Sequence, residues 1–257
     1  MRTLRLALSC CCALLLAAGC ASTQHAPVNF TQDARSNLDK GKEALEGKEF
    51  EEAQTYFEEV RTKYPFLEEA KEAELLMADL DYARERYAEA RDRYQAFVKA
   101  HPSHPSVDYA AFRAATTHLK DMPTEIFFLP PASEKDQVEV KGAYEALRDF
   151  LKEYPGSKYE GEARKLFDDV RRRLVDHELY VARFYAKRDR WAGTARRLEG
   201  LLEAYPGSSK EEEAFFLLHE AYEKLHDTAR AQETLRRVQS RMPGTPAAER
   251  ARKLLGA

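Results

Sequence analysis

Beyond its twentieth residue the chain contains no cysteine. Cys10, Cys11, Cys12 and Cys20 are all four of them, so a chain beginning at Cys20 would carry one thiol and no disulfide. Glycine and proline are sparse at 11 each in 257 residues, which excludes collagenous and low-complexity classes. Charge of one sign is missing as well: 41 Lys and Arg face 44 Asp and Glu, a net of −3 that argues against a nucleic-acid footprint. The one basic run, Arg171 to Arg173, is flanked by Asp168, Asp169 and Asp176 and reads as a solvated helix face. No GxGxxG, P-loop, HExxH or GxSxG pattern occurs, so no catalytic residue and no cofactor is assigned. His101-Pro-Ser-His104 with Asp108 nearby offers too few ligands at suitable spacing for a metal. Its prolines place it in a turn, with Ser106 or Asp108 opening the next helix.

What the chain does have is a frame repeated five times. Counting back from Pro65, Ala53 lies at −12, Phe57 at −8 and Val60 at −5. The same offsets return as Ala90, Tyr94, Phe97 before Pro102, and as Ala143, Leu147, Phe150 before Pro155. They return again as Thr194, Leu198, Leu201 before Pro206, and Ala231, Leu235, Val238 before Pro243. In a helix these offsets set a small residue and two large apolar ones on one face, where a neighbouring helix comes close. The proline, lacking an N–H, closes each helix. The fold class is therefore all-α, a tetratricopeptide-like solenoid of about five helical hairpins.

The hairpins expected are 33–46 with 48–63, turning at Gly47, and 67–84 with 86–100. The third is interrupted by an insertion, Met122 to Lys135, whose Phe127, Phe128, Pro130 and Pro131 either fold back on the solenoid or present a docking surface. The fourth has a long first helix, Ser157 to about Lys187, and the fifth pairs 209–225 with 228–240 before a tail helix near 247–255. Ser157-x-x-Glu160 and Ser209-x-x-Glu212 are read as capping boxes. Four segments follow: a leader at 1–19, a tether at 20–31, repeats one to three at 32–155 and repeats four and five with the tail at 156–257.

The leader carries Arg2 and Arg5 before an apolar run, Leu6 to Ala18, too short to span a bilayer comfortably. It ends Leu16-Ala17-Ala18-Gly19-Cys20, which resembles the bacterial lipobox, in which the cysteine is acylated and becomes the first residue. The alternative is an ordinary secretory signal cleaved near Ala18 or Ala21. Ala21 in place of Asp after the cysteine implies, by the same resemblance, sorting to the outer membrane.

Longer motifs are similar to those of the BamD family, the tetratricopeptide lipoproteins of the β-barrel assembly machinery. They are Tyr64-Pro65-Phe66, the run His101 to Phe112, Glu178 to Tyr185, and Arg197-Leu-Glu-Gly-Leu-Leu202 with Tyr205-Pro206. The resemblance covers essentially the whole chain after Cys20. It implies a non-enzymatic adaptor on the periplasmic face of the outer membrane, held by lipid on Cys20. Its implied partners are the BamA POTRA domains, other lipoproteins of the same machinery and unfolded outer-membrane β-barrel proteins. In repeats two and three, Tyr82, Tyr109, Phe112 and Arg113 offer aromatic and cationic groups to an extended peptide ending in an aromatic and a carboxylate; Tyr109 and Phe112 read equally as core. In repeats four and five, Arg197 and Glu199 lie in the matching motif, with Tyr222 and Arg236 as further partner contacts. Arg197 sits one step of about 100° off Leu198, so it is either a docking residue or the exposed half of a local ion pair. A scaffold for peptidoglycan or polysaccharide machinery is the alternative function, with an enzyme activator or cell-wall hydrolase behind it.

Overall fold

The computed structural model describes Val28, residues 32–122 and residues 136–256. Cys20 and the insertion residues Phe127, Phe128, Pro130 and Pro131 lie outside the described residues. Among the described residues the structure is eleven helices with no strand. They are α1 (Ala34–Glu46), α2 (Phe50–Lys63), α3 (Glu68–Ala83), α4 (Tyr87–Ala100), α5 (Val107–Asp121) and α6 (Val138–Glu153). There follow α7 (Glu160–Ala186), α8 (Trp191–Ala204), α9 (Glu211–Lys224), α10 (Thr228–Arg241) and α11 (Pro246–Leu254). Consecutive helices pack against one another, and α1 also reaches α3. The result is a helical solenoid of five hairpins with α11 laid on the last.

The repeated frame is the core. All fifteen of its residues are no more than 2% exposed, from Ala53, Phe57 and Val60 in α2 to Ala231, Leu235 and Val238 in α10. Burying a Leu, Val or Phe side chain contributes about 1.5–3 kcal/mol, so the second helices hold much of the stability. Thr194 keeps the small position because its hydroxyl finds acceptors in the carbonyls of Ala182 (3.3 Å) and Arg190 (3.4 Å).

Two kinds of turn alternate. Within the first, second, fourth and fifth hairpins the chain reverses through a left-handed residue: Lys48, Glu85, Asp189 or His226, with φ between 54° and 62°. The first of these corrects the expectation for Gly47, which has helical φ of −70° and only ends α1. Between later repeats, Gly156, Gly207 and Gly244 follow the proline at φ of +83°, +70° and +73°, a region that Cβ-bearing residues adopt at a cost. These glycines also explain why the two expected capping boxes are not formed. The orphan N–H belongs to the glycine, so the carboxylate that answers it lies four residues on: Glu160 accepts from Gly156 N (2.8 Å) and Glu211 from Gly207 N (3.1 Å). The α7 N-cap is Tyr159, and the Ser157 hydroxyl donates to Asp108 across the repeat boundary (2.7 Å).

The core divides unevenly. Leu38, Phe57, Val60, Met77 and Leu80 form one cluster; Leu75, Tyr94, Phe97 and Ala110 form a second. The largest runs from Phe112 in α5 to Ala251 in α11, so the turn at residues 155–156 is not a break in packing. The cause is α7, 27 residues long against 14 for α8. Its first half stacks Phe167 on Tyr144 of α6, and its second half carries Leu179 and Ala182 into the α8 contact.

Candidate functional site

The repeats two and three constellation is built by three helices. Asp79 and Tyr82 are one turn apart on α3, Tyr94 is the frame residue of α4, and Tyr109 and Arg113 are one turn apart on α5. Asp79 Oδ1 accepts from the hydroxyls of Tyr94 (2.5 Å) and Tyr109 (2.6 Å). Burial pushes the Asp79 carboxyl above its ordinary value, and the two hydroxyls with Arg113 only partly offset that. Burial likewise raises both tyrosines, and the Asp79 charge adds to it. For Arg113 burial works downward, but Tyr94, Tyr109 and Asp79 outweigh it and hold the guanidinium charged.

The guanidinium lies over Tyr82, its Cζ 3.7 Å from the ring centroid, and 5.9 Å from the rings of Tyr94 and Tyr109. Its Nε donates to the Tyr94 hydroxyl at 3.3 Å and stands 3.9 Å from Asp79. Among the described residues its two terminal nitrogens make no hydrogen bond. Lys120 brings a second cation to the Tyr82 ring, at 5.9 Å. A planar fork fixed on an aromatic bed, with both terminal N–H2 groups open, is suited to a carboxylate taken in bidentate fashion.

Of the four residues expected here, the structure joins Tyr82, Tyr109 and Arg113 and corrects the fourth. Phe112 is 6% exposed and stacks on Tyr159 at 4.9 Å, with Phe150 at 5.6 Å. It belongs to the core between α5, α6 and α7, because α5 is flanked on both sides and Phe112 turns to the later neighbours. Asp79, which orders the cluster, is a residue that sequence reasoning missed.

The second group does not form one surface. Arg197 is 44% exposed at its side chain and pairs with Glu178 of α7 at 3.2 Å. It lines a groove of about 560 Å³ with Lys141, Glu178, Tyr185 and Gly200. A Cβ on Gly200 would meet nothing within 4 Å, whereas one on Gly193 would press on Tyr185 at 3.0 Å. The chain's own packing thus accounts for Gly193 and not for Gly200. Glu199 points elsewhere, accepting from Tyr222 of α9 (3.1 Å) and Arg237 of α10 (2.8 Å). Tyr222 is 4% exposed, with the Arg230 guanidinium 4.6 Å above its ring, which corrects its expected role as a partner contact: the ring is core and its hydroxyl is satisfied within the chain. Arg236 is exposed and pairs along its own helix with Glu233 at 3.2 Å.

The remaining charged motifs are tied down locally. Arg171 pairs with Asp168 (2.9 Å) and Arg172 with Asp169 (2.6 Å). His101 Nε2 lies 2.8 Å from Glu74, His104 Nδ1 accepts the Ser106 amide at 3.1 Å, and both rings pack on Phe97. Among the described residues no cluster of His, Cys, Asp and Glu could hold a metal, and no helix is long and apolar enough to cross a membrane.

Residues 31–251 match the family YfiO, described as an outer membrane lipoprotein. Among curated relatives, a protein of Pasteurella multocida named outer membrane protein assembly factor BamD is 27% identical over 72% of this chain and 72% of its own. A protein of the same name from Haemophilus influenzae is 27% identical over 76% of this chain and 75% of its own. Among solved structures, a tetratricopeptide repeat protein from Parabacteroides merdae is similar over 88% of this chain and 86% of that one, at 12% identity and a TM-score of 0.38.

Proposed function

The chain belongs to the YfiO family of outer membrane lipoproteins, and from that premise we propose that it is a non-enzymatic adaptor of outer-membrane β-barrel assembly. In this reading Cys20 is acylated and holds the solenoid at the periplasmic face of the outer membrane. Repeats two and three receive the carboxyl-terminal segments of unfolded barrel proteins, and the Arg197 groove in repeats three and four docks a POTRA domain of BamA. Other lipoproteins of the machinery complete the assembly.

The observation that carries the reading is the fork of Arg113. Its Nε is engaged by the Tyr94 hydroxyl near Asp79, yet among the described residues its terminal nitrogens make no hydrogen bond, which leaves them for a reversible carboxylate contact. Gly200 supports the docking groove: a mid-helix glycine costs about 1 kcal/mol against alanine and has no internal packing reason here. The names of the two relatives point the same way. Purification of the acylated chain in mild detergent tests the reading, with a sixteen-stranded barrel protein bearing POTRA domains expected to accompany it. Recovery with peptidoglycan or polysaccharide enzymes and no barrel protein would transfer the chain to the scaffold alternative.

A further inference from the structure

The turn between α2 and α3 carries Phe66, which is 96% exposed, and beside it Leu67 at 45%. Each of the five frames ends in a proline, and the next residue is Phe66, Ser103, Gly156, Gly207 or Gly244, exposed in every case. The position tolerates a small or polar residue four times, and Phe66 has positive φ in no sense that would demand an unusual side chain. Nothing in the packing of the described residues calls for the aromatic. Phe66 and Leu67 occupy the turn nearest the point where the amino-terminal segment enters the fold. The Tyr64 hydroxyl, two residues earlier, donates to the carbonyl of Gln32 at 2.9 Å. The four turns farther along the solenoid have lost the apolar side chain.

We infer that Phe66 and Leu67 form a membrane-contacting tip that dips into the lipid surface to which the chain is anchored. The inference rests on the acylation of Cys20 proposed above. Between Cys20 and Gln32 the chain extends at most about 3.3–3.6 Å per residue, roughly 40 Å in all, so the tip is held within reach of the bilayer. Tethering raises the local concentration of the surface, and a contact too weak to recruit a free protein becomes populated. Phe and Leu side chains favour the headgroup boundary, about 5–10 Å into which an apolar face buries. The charges next to the tip cancel: Lys63 pairs with Glu59, and Lys71 with Glu68 at 2.6 Å. The contact is thus apolar in origin, and it does not require anionic lipid.

The test uses the acylated full-length chain in vesicles of phosphatidylethanolamine and phosphatidylglycerol, with some lipids doxyl-labelled below the headgroup. Phe66→Cys carries an environment-sensitive dye on the sole free thiol of the acylated chain, and Ser103→Cys carries it on the next turn. Emission at position 66 is expected to shift to the blue and to be quenched by the doxyl lipid, with position 103 unaffected. Mass spectrometry of the same sample reads acyl chains on Cys20. An acylated chain whose two positions respond alike overturns the lipid contact and leaves the adaptor reading standing. An unacylated product overturns the anchor and the tip with it. A blue shift at position 66 that appears only when a denatured barrel protein is added, without doxyl quenching, assigns Phe66 to a polypeptide and also overturns the inference.

Discussion

Arg113→Lys separates recognition from stability in repeats two and three. Truncation to Ala would confuse the two, because it strips the largely buried Asp79 carboxylate of its neighbouring cation; such a loss costs about 1–3 kcal/mol and would loosen the cluster around Asp79. Lysine keeps the charge opposite Asp79 and loses two things. One is the contact with the Tyr82 ring at 3.7 Å, a cation–π interaction of about 0.5–2 kcal/mol. The other is the second prong of the fork. A hydrogen bond to a charged group contributes about 1.5–3 kcal/mol, and with the Arg113 side chain 24% exposed the lower end applies. Loss of one such bond weakens a carboxylate ligand about tenfold. Anisotropy of a labelled peptide ending in phenylalanine with a free carboxylate should record that tenfold loss, while the unfolding free energy changes by about 1 kcal/mol. The same peptide with a carboxyl-terminal amide should bind the wild-type chain at least about tenfold more weakly than the free acid, since it forfeits the charge as well as a charge-assisted bond. Equal affinity of acid and amide for the wild-type chain would refute the carboxylate role of Arg113.

Three further outcomes concern Arg197, a pair of glycines and Asp79. Arg197→Glu should abolish co-purification with the barrel partner; Arg197→Ala should weaken it while costing the isolated protein about 1–3 kcal/mol, since Arg197 is 44% exposed but its partner Glu178 only 14%. Wild-type recovery of the complex with both variants would place docking elsewhere. Gly200→Ala should stabilise the isolated chain by up to about 1 kcal/mol in thermal melts, because a methyl group there meets nothing. Gly142→Ala, by contrast, puts a Cβ 2.5 Å from the His118 ring and should destabilise by about 1–3 kcal/mol; equal melting of the two variants would contradict the packing. Asp79 has a folded pKa above its unfolded value, so the stability it contributes is complete below about pH 3.9 and declines as pH rises through the raised folded value. Urea denaturation at pH 4 and pH 7 should therefore show the wild type losing ground to Asp79→Asn at the higher pH, and a gap that widens in favour of the wild type would refute this.

The second helices were legible in the sequence because their frame is the core itself: each Ala or Thr, Leu, Phe, Tyr or Val at those offsets is fully buried. First helices carry no such frame, which is why Tyr222 read as a surface residue and lies in the core. Phe112 and Tyr109 are separated by one helical turn, and periodicity tells that both face inward without telling which neighbour each meets. Tyr109 met Asp79 and Phe112 met Tyr159. Asp79 itself could have been suspected, since it interrupts the apolar run Leu75-Leu-Met-Ala-Asp-Leu80 at a position that must lie against another helix. Arg197 and Glu199 are two steps of about 100° apart, so their divergence was implicit in the helix geometry. Glu160 was legible as a cap acid but its partner was not, and Glu211 takes the part expected of Glu212, because the proline–glycine turn moves the unsatisfied N–H outward, a shift that no motif of serine and glutamate expresses.

The length of α7 also decides how the molecule comes apart. In an array whose repeats meet only their neighbours, stability is close to a sum of unit and interface terms, and units open one at a time from the ends. A helix that begins beside α6 and ends beside α8 cannot open by halves without breaking its own backbone hydrogen bonds. It fuses what would be two units into one cooperative block that extends from Phe112 to Ala251, while the two clusters drawn from α1 to α5 remain separate and smaller. Amide protons in that block should exchange together and last, and those of α1 and α2 first. The amino-terminal repeats are then the adjustable part of the molecule, and the carboxy-terminal block is the fixed frame against which they move.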